Sequence, residues 1–208
     1  ASSMHLYIWT PEIKETNYAL DFDGVDDYVA TASNISALNI TADITISSWV
    51  KISSMPNDWA RIIGKGTSSQ RTYGLWIRND GKLLFQIYGA NGYLNLFANT
   101  TLSTGAWYHI LATRSGNTVT IYVNGVADAS TTYSGTPHSN TSWLTIGSAV
   151  TMHDYLPGKL DEVAVWNKAR TQAEIQASMN SALSGNESGL VAYYKMNDGS
   201  GTSLTDSS

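Results

Sequence analysis

Short runs of alternating apolar and polar residues, separated by turn-forming residues, recur along most of this chain. Alternation of this kind puts every second side chain on the same face of a strand. The turn-forming stretches include Asn79-Asp80-Gly81 and Asn124-Gly125, whose residues tolerate the positive φ of a tight hairpin. The pattern predicts an all-β fold, a two-sheet antiparallel sandwich, with strands near residues 43–52, 73–78, 82–88, 93–98, 107–114, 118–123, 126–128, 143–147, 159–166 and 189–196.

One segment near the C-terminus has the pattern of a helix instead. Thr171 and Glu174 form a capping-box sequence, in which each side chain can bond a free backbone N–H of the first turn. Ile175, Met179 and Leu183 recur at every fourth residue, which puts them on one helical face. We therefore expect one short amphipathic helix that closes an open end or edge of the sandwich.

Composition limits the size and the partners of the fold. The chain has 208 residues, a net charge of −5 and no cysteine, which fits one domain or at most two. We expect a tag, linker or leading strand over residues 1–16, the main domain over residues 17–196, and a Gly/Ser/Asp-rich tail over residues 197–208 that continues into a further region. The chain has no basic stripe and no long apolar run, which argues against nucleic acid as a partner and against membrane insertion.

Residues 19–29 gather several carboxylates around a glycine where a short apolar strand ends. The acidic residues of this stretch are Asp21, Asp23, Asp26 and Asp27, and the glycine is Gly24. Ca²⁺ takes roughly six to eight hard oxygen ligands, which include carboxylates and backbone carbonyls. A second acidic pair, Asp161-Glu162, lies far along the chain. One ion holding both segments would stabilise the fold much as a cross-link does, and the alternative is that these are ordinary turn residues.

Eight segments form a recognisable pattern when they are taken in order: residues 19–29, 46–51, 63–66, 107–110, 121–125, 144–147, 158–166 and 190–194. Together they resemble the laminin-G-like domain of the concanavalin A-like lectin/glucanase superfamily, over roughly residues 17–200. The resemblance implies a jelly roll of two antiparallel sheets, one of them concave. It is specific for the fold and weak for a ligand, because this fold serves lectins, enzymes and adhesion domains.

The resemblance also implies a structural Ca²⁺ near the chain ends. Its ligands, carried over by position, are Asp23, Gly24 and Asp161, with Asp27 as a less certain addition. Such a site would stabilise the domain without identifying a partner.

The sequence lacks the carboxylate pattern of the related hydrolases. Retaining cleavage of a glycoside needs two carboxyl groups about 5–5.5 Å apart, which related laminarinase-type enzymes place on one strand as Glu-x-Asp-x-(x)-Glu. The predicted middle strands contain no Asp or Glu, and Glu occurs only at positions 12, 15, 162, 174 and 187. We therefore expect a domain that is not an enzyme.

Alternation assigns a set of polar and aromatic side chains to the faces that point away from the core. The predicted inward set is Tyr73, Leu75, Ile77, Leu83, Phe85, Ile87, Ile110, Ala112, Val119, Ile121 and Val123. If the strands are neighbours, the opposite set forms one platform, with Tyr93 as a possible member beside Trp76, Arg78, Gln86, Tyr88, Asn95, His109 and Tyr122. Aromatic rings stack on the C–H faces of sugars, so the platform predicts carbohydrate binding; the alternative is that these rings are packing residues under a covering loop.

Two predicted rim loops offer another binding surface, since loops on a rigid sandwich often bind ligands. They comprise residues 56–60 and 153–155, and Asp58 or Asp154 could hold a rim ion there. The sequence thus predicts a lectin-like or adhesion module of a secreted or cell-surface protein, monomeric within a larger chain, that binds an oligosaccharide, a polysaccharide or a surface protein. A protein-interaction domain or a spacer that binds no glycan is the alternative.

Overall fold

The computed structural model describes residues 18–32, 34–151, 153–198 and 201–208. Its strands are β1 Leu20–Asp23, β2 Val29–Ala30, β3 Ile44–Ile52, β4 Trp59–Lys65, β5 Tyr73–Arg78, β6 Lys82–Gly89, β7 Gly92–Thr101, β8 Trp107–Ser115, β9 Thr118–Val123, β10 Val126–Thr132, β11 Leu144–Ile146, β12 Pro157–Trp166 and β13 Leu190–Tyr194. A 3₁₀ helix spans Ser36–Leu38 and one α-helix, α1, spans Gln172–Ser178.

The strands form two antiparallel sheets. Sheet A has the order β1-β12-β3-β8-β9-β10, with β13 also paired to β12, and sheet B has the order β2-β11-β4-β5-β6-β7. All the strand pairs are antiparallel. The prediction of a two-sheet antiparallel sandwich is confirmed.

The core lies between the two sheets. Every side chain that alternation assigned inward belongs to this core, including Tyr73 and Phe85 from sheet B and Ile110 and Ile121 from sheet A. Period-two alternation identifies these residues because each sheet has one buried and one outward face. The outward faces are therefore where polar and aromatic side chains can meet a ligand.

Strand β4 was not among the predicted strands, although it pairs directly with β5. The pairing of β4 with β5 shifts between Arg61 and Ile63, and both Ile62 and Ile63 are buried. Such a bulge breaks strict alternation, so the segment does not have the period of a regular strand. As a result Trp59, which was expected in a rim loop, begins β4 instead.

The helix lies on the outer face of sheet A rather than at an open end. The indole N–H of Trp49, on β3, donates to the Met179 carbonyl at 3.1 Å, and the Gln176 amide donates to the Gly125 carbonyl at 2.9 Å. The capping box at Thr171 and Glu174 is present as predicted. The amphipathic helix thus covers part of one sheet face, because Trp49 gives it an apolar and hydrogen-bonding surface there.

The described part of the C-terminal tail returns alongside β13. The Ser207 N–H donates to the Tyr193 carbonyl at 2.8 Å, and the Tyr193 N–H donates to the Asp206 carboxylate at 3.0 Å. The predicted segment 1–16 lies outside the described residues. No helix among the described residues is long and apolar enough to cross a membrane.

Candidate functional site

The outer face of sheet B holds a row of aromatic and hydrogen-bonding side chains, which are exposed on β7 and half-buried or buried on β4, β5 and β6. We call this row the aromatic strip, and it comprises Trp59, Arg78, Gln86, Tyr88, Tyr93, Asn95 and Phe97. Strand β7 is the edge of the sheet, and along it Leu94, Leu96 and Ala98 point inward. Alternation therefore turns Tyr93, Asn95 and Phe97 outward on the same face.

One end of the aromatic strip is a pair of stacked tyrosines. Tyr88 and Tyr93 lie directly opposite each other on β6 and β7, with ring centroids 5.5 Å apart and planes inclined by 26°. Tyr93 is 63% exposed. The next pair along the strands is Gln86 and Asn95, whose side chains share a 2.7 Å hydrogen bond. This end of the strip therefore presents a flat ring next to an amide pair, which suits a sugar's C–H face and its hydroxyls.

The other end of the strip is an arginine between two rings. The Arg78 guanidinium lies 5.0 Å from the centre of the Phe97 ring and 5.9 Å from that of Trp59. The Arg78 guanidinium donates a hydrogen bond to the Asp80 carboxylate, which holds the side chain and raises the pKa of Arg78. Because Phe97 lies four residues beyond Tyr93 on β7, the two ends are about 13 Å apart. That span suits an oligosaccharide better than a single sugar.

Under the strip lies a buried stack of two arginines on one tryptophan. The Arg61 and Arg71 guanidinium carbons lie 4.4 Å and 4.6 Å from the centre of the Trp76 ring. Arg61 pairs with Trp76 across β4 and β5, while Arg71 donates a hydrogen bond to Gln86 on β6. Both cations therefore contact the same ring. Burial, and next the charge of Arg71, lower the pKa of Arg61 to about 9.

Trp76 is a packing residue and not part of an exposed platform. It is 5% exposed and packs with Leu84 and Ala149, and Ala149 belongs to the loop between β11 and β12. The expectation that Trp76 faces a ligand is thereby corrected. Alternation identified the outward face correctly, but it does not show which part of that face another loop covers.

His109 and Tyr122 lie on the other sheet, which corrects the expectation of one seven-residue platform. They belong to β8 and β9 of sheet A, whereas the other five predicted residues belong to β5, β6 and β7 of sheet B. His109 is 7% exposed and its ring lies 5.3 Å from that of Trp49. The outward assignment was correct for both residues, but the sandwich turns the two outward faces in opposite directions.

The acidic motif forms a compact carboxylate group at the end of β1. Asp23, Asp26 and Asp27 are exposed, and one carboxylate oxygen from each lies within 4.8 Å of the others. Hydrogen bonds from the Val25 and Asp26 N–H groups lower the pKa of Asp23. Gly24 has φ of +79°, and an added Cβ there would lie 2.8 Å from Pro157.

The strand register does not bring Asp161 to this group, which corrects the expected ligand set. Asp23 pairs with Pro157 across β1 and β12. Asp161 lies four residues further along β12, a distance of about 13 Å, and is buried beside Trp49. The donor chemistry of Asp23, Asp26 and Asp27 fits Ca²⁺, but one ion cannot bridge these residues and Asp161.

The two predicted rim loops differ in what they expose. Asp58 lies next to the strip, where its charge raises the pKa of Arg78. Asp154 has φ of +57°, and its carboxylate lies 2.7 Å from the His153 ring nitrogen. Its backbone carbonyl accepts from the Arg61 N–H at 2.9 Å. The loop of Asp154 thus lies alongside β4, where its charge is close enough to raise the pKa values of Arg61 and Arg71.

Comparison with known proteins identifies the family. A laminin G family model, described as the concanavalin A-like lectin/glucanases superfamily, matches residues 23–176. The chain belongs to this superfamily. The laminin-G-like resemblance that the eight segments predicted is therefore confirmed. No curated protein sequence matches this laminin-G-like chain.

Solved structures share the laminin-G-like fold at low sequence identity. A Bacteroides ovatus protein described provisionally as carbohydrate-binding is 20% identical, with a TM-score of 0.69 over 90% of this chain and 54% of its own. The Trypanosoma rangeli sialidase in complex with the inhibitor DANA is 18% identical, with a TM-score of 0.57 over 76% and 26%. Domains LG4-5 of the mouse laminin α1 chain are 16% identical, with a TM-score of 0.58 over 74% and 44%. The chain spans about half or less of each protein, and these identities show the fold alone.

Sequence reasoning missed several residues of the site. Phe97 completes the strip with Trp59, which was predicted only as part of a rim loop, and Arg61 and Arg71 form the stack. Phe97 was detectable, since it alternates with Tyr93 and Asn95 on a predicted strand. The two arginines carried no such signal, because β4 was not predicted and Arg71 precedes β5.

Proposed function

We propose that this domain is a non-catalytic carbohydrate-binding module of a secreted or cell-surface protein, and that it binds an oligosaccharide along the aromatic strip. The observation that supports this function is the exposed sequence of Tyr93, Asn95 and Phe97 beside Gln86 and Arg78 on one sheet face. Aromatic rings provide apolar area with a fixed geometry, and the amide and guanidinium groups provide hydrogen-bond donors. The provisional description of the Bacteroides ovatus structure as carbohydrate-binding agrees with this proposal.

The lack of acidic residues in the strands of this face supports binding without catalysis. The six described strands of sheet B contain no Asp and no Glu. Retaining hydrolysis of a glycoside requires a pair of carboxyl groups about 5–5.5 Å apart. A sugar bound along the strip would therefore meet rings, amides and cations, but no acid and base pair from the strands beneath it.

The test is glycan binding by variants of the strip. Tyr93→Ala and Phe97→Ala should each weaken binding about tenfold or more on a glycan array and in calorimetry, because each removes one exposed ring of the strip. Tyr28→Ala is the matched control, since Tyr28 is 46% exposed and lies outside sheet B's strip. Binding that is unchanged in both strip variants, or no glycan binding at all, would contradict the proposed function.

We also propose a structural Ca²⁺ at Asp23, Asp26 and Asp27, where the two charges of the ion would offset most of the repulsion among three neighbouring carboxylates. Added CaCl₂ should raise the melting temperature by a few degrees, and a chelator should reverse the change. The double variant Asp26→Asn, Asp27→Asn should abolish the response, whereas Asp198→Asn should keep it. A melting temperature that does not respond to Ca²⁺ would remove the ion from the proposal.

Protein binding is the second candidate function, and an exposed apolar surface elsewhere favours it. Tyr28, Ile35 and Trp143 are exposed around a cavity of about 900 Å³. This surface is separate from the strip, so Trp143→Ala should leave glycan affinity unchanged. A partner protein whose binding is lost with Trp143→Ala and kept with Tyr93→Ala would favour this second function.

A further inference from the structure

The outer face of sheet B holds buried positive charge without matching acids. Arg61 is 0% exposed and Arg71 is 7% exposed. Their described polar partners are neutral: Arg61 donates to Thr145 and Gly66, and Arg71 donates to Gln86. Among the residues that the structure describes, neither of these two cations has a carboxylate at salt-bridge distance.

The carboxylates near this charge compensate it only in part. Asp154 raises the pKa values of both Arg61 and Arg71, but its carboxylate also lies 2.7 Å from the His153 ring nitrogen and its side chain is 30% exposed. Asp80 is hydrogen-bonded to Arg78 at the far end of the strip. Burial still lowers the pKa of Arg71, as it does that of Arg61. The site therefore keeps a surplus of positive charge within a chain whose net charge is −5.

Three buried N–H groups of the stack have no hydrogen-bond partner. They are the Nε of Arg61, the Nε of Arg71 and the Nε1 of Trp76. Unpartnered donors in a buried cationic cluster are costly. An anionic oxygen that reaches these N–H groups would accept hydrogen bonds from them.

Arg71 connects the buried charge to the exposed strip. Its guanidinium carbon lies 4.6 Å from the Trp76 ring centre and 5.6 Å from that of Tyr88. It also bonds Gln86, which bonds the exposed Asn95. An anionic group on a sugar stacked at Tyr88 and Tyr93 would therefore approach Arg71 more closely than it approaches Arg61.

We propose that the aromatic strip selects acidic oligosaccharides, those with carboxylate or sulfate groups, over neutral ones of the same backbone. This inference rests on the proposed carbohydrate-binding function and adds the charge class of the ligand. A guanidinium binds a carboxylate or a sulfate through charge-assisted hydrogen bonds, and a partly desolvated cation attracts an anion more strongly than one in bulk water. The fixed positive charge does not repel a neutral sugar. The preference for acidic sugars therefore comes from the added attraction between the arginine and the anionic group.

The test compares sugars that differ in charge alone. Free oligogalacturonate and its methyl ester share one backbone, and calorimetry in 50 mM NaCl should show the free acid binding about tenfold more tightly. The difference should shrink in 500 mM NaCl because salt screens the attraction. A sulfated and an unsulfated galactan oligomer form the second pair, which shows whether carboxylate or sulfate is preferred.

Arginine variants then test which cation produces the preference for the acid over the ester. Arg71→Gln should reduce the acid-to-ester ratio towards one while ester binding remains, and Arg71→Lys should keep part of the ratio because it keeps the charge. Lys159→Gln is the control, since Lys159 is a surface cation of sheet A bonded to Asp21. Melting curves identify any variant that fails to fold. If Arg71→Gln does not fold, Arg78→Gln is the second variant.

The outcomes separate this inference from the proposed function. Neutral binding that depends on Tyr93, with equal affinities for acid and ester, would overturn the charge preference and leave carbohydrate binding intact. A preference for acid that neither Arg71→Gln nor Arg78→Gln reduces would also overturn it. The absence of binding to all four sugars would count against both.

Discussion

At the scale of single residues, two paired glycines allow the arginine stack to form. Gly64 and Gly74 lie opposite each other on β4 and β5. A Cβ at Gly74 would lie 2.7 Å from the Trp76 Nε1 and 2.9 Å from the Arg71 Cδ, and one at Gly64 would lie 3.3 Å from the Arg61 Nε. The side chains of Trp76, Arg61 and Arg71 therefore lie over backbone that carries no side chains.

Gly74→Ala should destabilise the domain by about 1–3 kcal/mol, since the added methyl group overlaps Trp76 and Arg71. The measurement is urea unfolding. Ser139→Ala, at an exposed loop position, should change stability by less than about 0.5 kcal/mol. Wild-type stability in Gly74→Ala would show that the stack has room for the added methyl group.

The same scale shows what a sequence pattern can say about a site residue. Alternation correctly turned Trp76 and His109 outward, because it depends only on the pleat of each strand. It could not show that Ala149 covers Trp76 or that Trp49 contacts His109. Those contacts join residues distant in sequence, and no local pattern encodes them.

At the scale of elements, the helix is the clearest case of local sequence determining local structure. The Thr171 N–H donates to the Glu174 carboxylate at 2.7 Å, and the Thr171 hydroxyl accepts from the Glu174 N–H at 3.3 Å. Both bonds lie within one turn, so four residues are enough to predict them. Where the helix docks was not predictable, because its contacts with Trp49 and Gly125 depend on β3 and the β9–β10 turn.

The capping box predicts a dependence of stability on pH. Hydrogen bonds from the Thr171 backbone and hydroxyl, and next the Lys168 ammonium, lower the pKa of Glu174 from 4.5 to about 2. A folded-state pKa below the unfolded value means that the unfolded chain binds more protons between these values. The stabilisation is therefore complete above about pH 4.5 and is lost as the pH falls through about 2.

Glu174→Gln tests this dependence. The variant should be less stable than the wild type at pH 6, and the difference should shrink between pH 4.5 and 2, as measured by urea unfolding. Gln172→Ala, an exposed and non-titrating change on the same helix, should show a difference that does not vary with pH. A Glu174→Gln difference that stays constant across this range would exclude the proposed linkage.

At the scale of the whole molecule, one bulged residue ties the two sheets together. The register of β10 against β9 shifts between Ala127 and Ala129, which leaves Asp128 as the extra residue. Its carboxylate accepts from the Thr100 N–H at 3.1 Å and from the Thr100 hydroxyl. Because Thr100 is on β7, the bulge directs an acceptor from sheet A to the edge of sheet B, next to the aromatic strip.

Asp128→Asn should lower the free energy of unfolding by about 1–2 kcal/mol, since the amide can replace only one of the two accepting oxygens. Asp21→Asn is the control, because Asp21 bonds Lys159 at the surface and such pairs contribute about 0–1 kcal/mol. Both variants are compared by urea denaturation. Equal losses in the two variants would mean that Asp128 does not join the sheets.

Local patterns predict the fold class, the inward faces of β5, β6, β8 and β9 and the helix cap, while the order of eight segments predicts the family. The local predictions depend on alternation, capping or turn chemistry among residues close together in the chain. Which strands are neighbours, which outward side chains a loop covers, and how far Asp161 lies from Asp23 emerge only in the folded molecule. The physical reason is that strand order, register and loop placement are set by packing between distant segments, and the aromatic strip with its buried arginines forms only when β4, β5, β6 and β7 lie side by side.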